Sequence, residues 1–199
     1  MSLTSQQYAA LAKDSYDKPP ETGENSRTVV IGNVSYKRLE YIDSPSGYQG
    51  IIYRRIDTNE IIVAHRGTET ERELKQDGVY TDGGMVATRH NRQAAEAIEL
   101  TKHALVYAQK LGKDGEALDV TVTGHSLGGN LAQVTAHHFG LKGETFNAYG
   151  AVSLDRRIPE GGTDVINHVM AGDAVSAGSK HYGQVKLYAT QQEGNPPAD

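Results

Sequence analysis

The spacing of apolar residues changes along the chain, and the change predicts which parts are strands and which are helices. Its first third carries short segments rich in β-branched and aromatic residues, separated by Gly, Pro, Asn and Ser. Segments of this kind are typical of antiparallel strands joined by tight turns. We predict four such strands, at residues 27–31, 35–42, 48–56 and 60–65.

Helical spacing appears before and after these strands. Thr4 or Ser5 is suited to cap a short helix that ends near Tyr16, and apolar positions recur with helical periodicity over residues 91–111. A further helix ends near His138. We predict a strand at 120–123 before this helix and strands at 145–149, 165–170 and 185–189 after it. The alternation predicts an α/β three-layer sandwich whose central sheet is mostly parallel, with antiparallel N-terminal strands.

Composition narrows the class of protein. The 199 residues fit one domain, which we place at 1–190, with the polar segment 191–199 as a tail or linker. The net charge of −5 and the lack of a basic run argue against nucleic acid as a partner. There is no cysteine, and neither a signal peptide nor a membrane span is evident. We therefore expect a soluble domain, cytoplasmic or exported without a signal peptide, and the sequence leaves its oligomeric state open.

The segment Gly124-His-Ser-Leu-Gly-Gly129 carries the clearest chemical signal. It follows an apolar run and opens a helix of small residues, which is the context of a nucleophile elbow. In such an elbow the serine, here Ser126, occupies a strained backbone conformation that presents its hydroxyl at the end of a strand. The flanking Gly124 and Gly128 have no Cβ atoms that would clash where strand and helix cross.

Three blocks of sequence together resemble a known family. Residues 61–68 (IIVAHRGT), 122–129 (VTGHSLGG) and 165–175 (VINHVMAGDAV) are similar, in that order, to the signature blocks of class 3 lipases. The similarity covers about residues 51–188 and is strongest to compact bacterial members, including lipase-like domains of antibacterial effectors. It implies an α/β-hydrolase fold and a serine carboxylic-ester hydrolase, a lipase or phospholipase A, that works through an acyl-enzyme and needs no cofactor or metal.

The resemblance also implies the oxyanion hole. Thr68 matches the residue that supplies a backbone N–H, and its hydroxyl is a second candidate donor. The backbone N–H of Leu127, which follows the nucleophile, is the other donor. Taken alone, residues 66–68 would be only a turn that ends a strand.

Asp173 is the candidate acid of the triad, because it follows a predicted strand in the chain order Ser, Asp, His. Its structural alternative is a cap or turn residue beside Gly172. Asp155 and Asp164 are rival acids, although a salt bridge to the neighbouring arginines suits Asp155 better.

His181 is the candidate base. It lies only eight residues after Asp173, closer than is usual in the family, and before the last predicted strand. An antiparallel last strand would keep His181 at the edge that carries Ser126, whereas a parallel strand would need a longer, usually helical, connection. The alternative is a base that lies beyond Asp199.

Residues 69–92 occupy the place of the lid in class 3 lipases. The first part of this segment, residues 69–77, is highly charged, unlike an apolar lid, so a solvated helix and a gating segment are equally open. With no tryptophan and few aromatics, phospholipids, monoacyl lipids or short-acyl esters are favoured over bulk triglyceride as substrates, with transient contact to a membrane surface. Two other functions stay open: a non-catalytic effector or binding module on the same scaffold, and an acyltransferase or thioesterase using the same triad.

Overall fold

One mixed sheet of eight strands organises the part of the chain that the structure describes. The computed structural model describes residues 2–67, 83–153 and 156–189. Its strands are β1 Val29–Ile31, β2 Val34–Asp43, β3 Gln49–Arg55, β4 Ile61–Arg66, β5 Val120–His125, β6 Lys142–Phe146, β7 Gly161–Met170 and β8 Tyr182–Tyr188. Its helices are α1 Ser5–Asp14, α2 Gly83–Leu111, α3 Leu127–Phe139 and α4 Ala174–Gly178.

The strands follow each other across the sheet in chain order, from β1 to β8. Strands β1 to β4 pair antiparallel, and β4 to β8 pair parallel. The antiparallel N-terminal strands and the mostly parallel remainder are therefore confirmed. In this arrangement the carboxyl ends of β4 to β8 meet at one edge of the sheet, which we call the catalytic edge.

Alternate strand residues face opposite helical layers. Ile51, Tyr53 and Ile62 pack with Leu11 of α1 in one apolar cluster. Their neighbours in sequence, such as Ile52 and Val63, pack on the other face in a cluster whose helical members include Leu100 of α2 and Leu131 of α3. Because strand side chains point alternately to the two faces, the middle of the sheet is covered on both sides, and the predicted three layers are confirmed.

Helix α1 is fixed at both ends. Thr4 accepts a hydrogen bond from the backbone N–H of Gln7, whose side chain accepts one from Thr4 in return, which is a capping box. At the other end the Asp14 carboxylate accepts hydrogen bonds from Arg38 Nη2 at 2.7 Å and Tyr53 Oη at 2.7 Å. The Arg38 and Asp14 side chains are mostly buried, so α1 ends against strands β2 and β3.

Most boundaries differ slightly from the sequence prediction, and the starts of α2, β6, β7 and β8 differ by three residues or more. Helix α2 begins at Gly83, earlier than the predicted residue 91, and β6 covers Lys142–Phe146 in place of 145–149. β6 ends before Asn147, whose φ of 44° departs from the extended backbone of a strand. The boundary at 190 and the tail at 191–199 lie outside the described residues.

The direction of β8 corrects the expectation of an antiparallel return. β8 pairs parallel to β7, with Met170 opposite Tyr188. Residues 171–181 connect the two strands and contain the five-residue helix α4. This helix is too short to give an apolar period that the sequence could reveal.

His65 is a buried polar residue in the core near the catalytic edge. Its Nδ1 lies 2.8 Å from the Tyr48 hydroxyl and its Nε2 lies 3.2 Å from the Thr135 hydroxyl. Burial lowers the pKa of His65 from 6.5 to about 3, because desolvation disfavours the charged imidazolium. His65 is therefore neutral in the folded protein at pH 7.

We expect His65 to make the fold sensitive to acid. The pKa of His65 is lower when folded than when unfolded, so stability is complete above pH 6.5 and falls as the pH drops towards 3. Between these pH values, protonation of His65 in the unfolded state lowers the free energy of unfolding by about 1.4 kcal/mol per pH unit. Urea unfolding at several pH values should show a shallower acid dependence for His65→Gln, which does not titrate. If the free energy of unfolding changes equally with pH in both proteins between pH 6 and 4, His65 is not the buried neutral group described here.

Candidate active site

Ser126 lies at a sharp turn between β5 and α3, at the catalytic edge. Its backbone has a φ of 57° and a ψ of −125°, a conformation that costs free energy for any residue with a Cβ. The surrounding backbone holds it there: Ser126 N donates to Phe146 O at 3.0 Å, and Ser126 O accepts from Gly129 N at 3.0 Å. Ser126 is 7% exposed. These features are the strained strand–turn–helix geometry of a nucleophile elbow.

The glycines on either side of Ser126 are required by close backbone contacts. A Cβ on Gly124 would lie 2.4 Å from the carbonyl carbon of Gly128, and a Cβ on Gly128 would lie 2.0 Å from the carbonyl oxygen of His65. The first contact joins β5 to α3, as the sequence predicted. The second joins α3 to β4, so the elbow is packed against the strand that leads to Thr68.

The end of β4 lies directly beside the elbow. His65 is paired with Gly124 in the parallel ladder. Two residues later, a Cβ on Gly67 would lie 3.1 Å from His125 O and 3.5 Å from Gly128 N. Thr68 itself lies outside the described residues, as do residues 69–82 of the predicted lid. Leu127 is the first residue of α3, so its backbone N–H lies in the first turn of that helix.

Asp173 follows β7 at the same edge as Ser126, two strands away. Its side chain caps α4: Oδ1 accepts from Ser176 N at 3.4 Å, and Oδ2 accepts from the Ser176 hydroxyl at 3.1 Å. The structural alternative that the sequence offered, a capping residue, is therefore present. The side chain is also partly exposed, which leaves carboxylate surface available for a further partner.

The rival acids are placed differently. Asp164 lies in the first half of β7, away from the catalytic edge, and its Oδ2 accepts a hydrogen bond from the Tyr182 hydroxyl at 2.8 Å. Asp155 lies outside the described residues. Of the candidates that the structure describes, only Asp173 lies after the carboxyl end of a parallel strand.

His181 is not brought to Ser126. It immediately precedes β8, and its carbonyl oxygen accepts from Gly161 N at 2.9 Å. Gly161 is the first residue of β7, so His181 lies at the edge opposite to the catalytic edge. Its Nε2 is 2.8 Å from Ser176 O, and its Nδ1 is buried with no hydrogen-bond partner in the described part of the chain. The antiparallel geometry that favoured His181 as the base is therefore wrong.

Two other histidines lie near the catalytic edge on strands β5 and β7. His125 Nδ1 is 2.9 Å from the Tyr16 hydroxyl. His168 Nε2 is 2.6 Å from Glu144 Oε2, and its Nδ1 is 2.8 Å from the Tyr188 hydroxyl. Both ring nitrogens of His168 are thus engaged away from the elbow. Among the described residues, no group of three or more His, Cys, Asp or Glu side chains could hold a metal ion.

Sequence reasoning missed Tyr16 as a neighbour of the elbow. Tyr16 follows α1 and is separated from His125 by most of the chain, yet its hydroxyl contacts the His125 ring. The Arg66 guanidinium also lies 5.2 Å from the centre of the Tyr16 ring. Neither periodicity nor a motif signals such a contact, because it depends on how α1 packs on the sheet.

Comparison with solved structures gives the fold. The chain is similar to a lipase from Rhizopus microsporus var. chinensis, with 19% identity, a TM-score of 0.62, and coverage of 96% of this chain and 74% of that one. It is also similar to the Lip2 lipase of Yarrowia lipolytica, with 16% identity, a TM-score of 0.59, and coverage of 92% and 76%. A fungal lipase gives 15% identity, a TM-score of 0.64, and coverage of 93% and 77%. The α/β-hydrolase fold is thereby confirmed.

Sequence comparison gives the family. No curated protein matches the chain. Residues 7–176, most of the chain, match the family described as phospholipase-like, Tle-like phospholipase domain. This range includes the elbow and Asp173. The chain therefore belongs to the Tle-like phospholipase domain family and is a lipase-like carboxylic ester hydrolase of the α/β-hydrolase fold.

Proposed function

We propose that the protein is a phospholipase A, in which Ser126 attacks an acyl ester of a glycerophospholipid. The observation that carries this proposal is the strained backbone of Ser126, with φ 57° and ψ −125°. Backbone strain of this kind clusters at functional sites, and Ser126 directly follows the carboxyl end of β5. The phospholipid as substrate class is supported by the family description.

The reaction proceeds in two halves. The Ser126 hydroxyl loses its proton to a base and its oxygen forms a bond to the ester carbonyl carbon. The tetrahedral intermediate expels the lysophospholipid alcohol, which takes that proton, and leaves an acyl-enzyme. Water then attacks the acyl-enzyme with the same base and releases the fatty acid. Each step involves only proton transfer and acyl substitution.

The developing oxyanion is bound by backbone donors at the elbow. Leu127 N–H is one of them, and Thr68 supplies the other through its N–H or its hydroxyl. The close approach of Gly67 to His125 and Gly128 supports this arrangement, because residue 68 follows Gly67 directly. Each such donor typically contributes about 3–4 kcal/mol to transition-state stabilisation.

The acid is Asp173, and the base is a histidine that reaches the catalytic edge after β8. Because β8 is parallel to β7, the chain leaves β8 on the same edge as Ser126 and Asp173. Residues 190–199 contain no histidine, so on this proposal the base lies beyond residue 199 in the natural protein. Experiments on activity therefore use the protein with its natural downstream sequence.

Replacing Ser126 with alanine should abolish hydrolysis without unfolding the protein, because only one oxygen is removed. Loss of a nucleophile of this kind typically lowers turnover about a millionfold. Fatty-acid release from a dioleoyl phosphatidylcholine and phosphatidylglycerol vesicle measures the rate, and labelling by a fluorophosphonate reports the activated serine. A variant that keeps a tenth of the wild-type rate would exclude Ser126 as the nucleophile.

Replacing Asp173 with asparagine separates its two roles. Asparagine caps helices as well as aspartate does, so the melting temperature should change little. Loss of the charge that orients the base should lower kcat by about 10⁴-fold. Asp164→Asn is the matched control, since Asp164 lies away from the edge, and it should keep its activity. A purely structural Asp173 would leave kcat of the asparagine variant unchanged.

Replacing His181 with alanine or asparagine tests the identity of the base. With the downstream sequence present, both variants should retain activity within about threefold, whereas the 199-residue chain should be inactive even with His181 intact. A proton acceptor contributes at least about 100-fold to such a reaction. If both folded His181 variants are as inactive as Ser126→Ala, or if the 199-residue chain is fully active, the proposed base is wrong.

A further inference from the structure

We propose that Tyr16 is a positioning residue for ester hydrolysis, because its hydroxyl joins the elbow to the end of β4, which leads to Thr68. This inference rests on the proposed function of Ser126 and adds a residue outside the three signature blocks. The role proposed for Tyr16 is indirect. Tyr16 acts through His125 and Gly67.

The Tyr16 hydroxyl lies against both His125 and Gly67. It shares a hydrogen bond with His125 Nδ1, with 2.9 Å between the two atoms, and the Tyr16 and His125 rings meet edge to face with 5.9 Å between their centres. On the other side, a Cβ on Gly67 would lie 2.9 Å from the hydroxyl oxygen. One oxygen atom is therefore packed between the residue before the nucleophile and the residue before Thr68.

The Tyr16 ring is held from a second direction by β4. The Arg66 guanidinium lies 5.2 Å from the centre of the ring, at a distance that permits a cation–π contact. Arg66 also donates to the side-chain oxygen of Gln49 on β3. The guanidinium thus ties Tyr16 to β3 and β4, next to Gly67.

The backbone below Tyr16 is also fixed. Asp14, two residues earlier, is bound by Arg38 and Tyr53, and Tyr16 N donates to Lys13 O at 3.1 Å. Tyr16 therefore extends from a rigid helix end, not from a free terminus. A side chain fixed in this way can set the position of the two segments that it contacts, the elbow and the end of β4.

These two segments, the elbow and the end of β4, lead to the two proposed oxyanion donors. Leu127 N–H follows the elbow, and Thr68 follows Gly67, so the separation of the donors depends on how Gly67 sits against His125. Such donors act mainly on the charge that develops in the transition state, and a misplacement of about 1 Å can cost about 100-fold in rate. Loss of the Tyr16 hydroxyl should therefore lower kcat and leave KM nearly unchanged.

The test compares Tyr16→Phe with Tyr182→Phe in the protein with its natural downstream sequence. Each variant loses one hydroxyl, but the Tyr182 hydroxyl donates to Asp164 at 2.8 Å, away from the catalytic edge. With a short-chain p-nitrophenyl ester, Tyr16→Phe should lower kcat about 10- to 100-fold with KM within about twofold. Tyr182→Phe should keep wild-type kinetics, and each melting temperature should fall by no more than about 2–4 °C.

A boronic acid inhibitor separates positioning from a general loss of structure. Its tetrahedral adduct with Ser126 fills the oxyanion hole, so Tyr16→Phe should weaken its binding by the same factor as kcat/KM. His125→Phe, which removes the other partner of the hydrogen bond, should reproduce the kcat loss. The double variant should be little worse than either single variant, since both lose one shared interaction.

The outcomes distinguish the two proposals. If Ser126→Ala retains activity, the proposed function fails, whatever Tyr16 does. If Ser126→Ala is inactive but Tyr16→Phe and His125→Phe match Tyr182→Phe in kcat and in boronic acid affinity, the positioning role of Tyr16 is overturned and the proposed function stands. Additive losses in the double variant would also overturn it.

Discussion

The contact between α3 and the end of β4 is the constraint on which the rest of the site depends. A Cβ on Gly128 would lie 2.0 Å from the carbonyl oxygen of His65, closer than any side chain can be accommodated. This approach brings the first turn of α3 down onto two parallel strands at once. Ser126, between these two glycines, adopts a positive φ of 57°. The strain at Ser126 is therefore maintained by packing and not by its own side chain.

The core beneath this contact explains why the approach can be so close. His65 fills the space under α3 with an imidazole that is bonded on both nitrogens, to Tyr48 and to Thr135. Because desolvation keeps the His65 pKa far below neutrality, the ring adds no charge near the elbow. A neutral, fully engaged ring stabilises the junction of β4 and α3 without competing for the proton of Ser126.

Local signals made the elbow and the antiparallel half of the sheet predictable from sequence. These signals are glycines that flank a serine and turn residues between β-branched segments. They act over a few neighbouring residues, so they can be interpreted without knowledge of tertiary contacts. The direction of β8 could not be predicted in this way. It depends on whether residues 171–181 cross the sheet, and α4 is a single turn whose formation relies on the cap from Asp173. The contact of Tyr16 with His125 depends in turn on the packing of α1, which no local pattern encodes.

The cap on α4 links the fold to the chemistry proposed for Asp173. An N-terminal carboxylate stabilises a short helix through its first N–H groups, and α4 is what turns the chain back from the catalytic edge after β7. After the return along residues 171–181, β8 runs parallel to β7 and ends on the edge that carries Ser126. One carboxylate thus has a structural role that directs the following strand to the edge where a base is needed. Its remaining exposed surface can orient that base. A charge at this position is required by the proposed reaction alone, whereas the cap requires only an oxygen acceptor, and this difference is what makes the two roles separable by experiment.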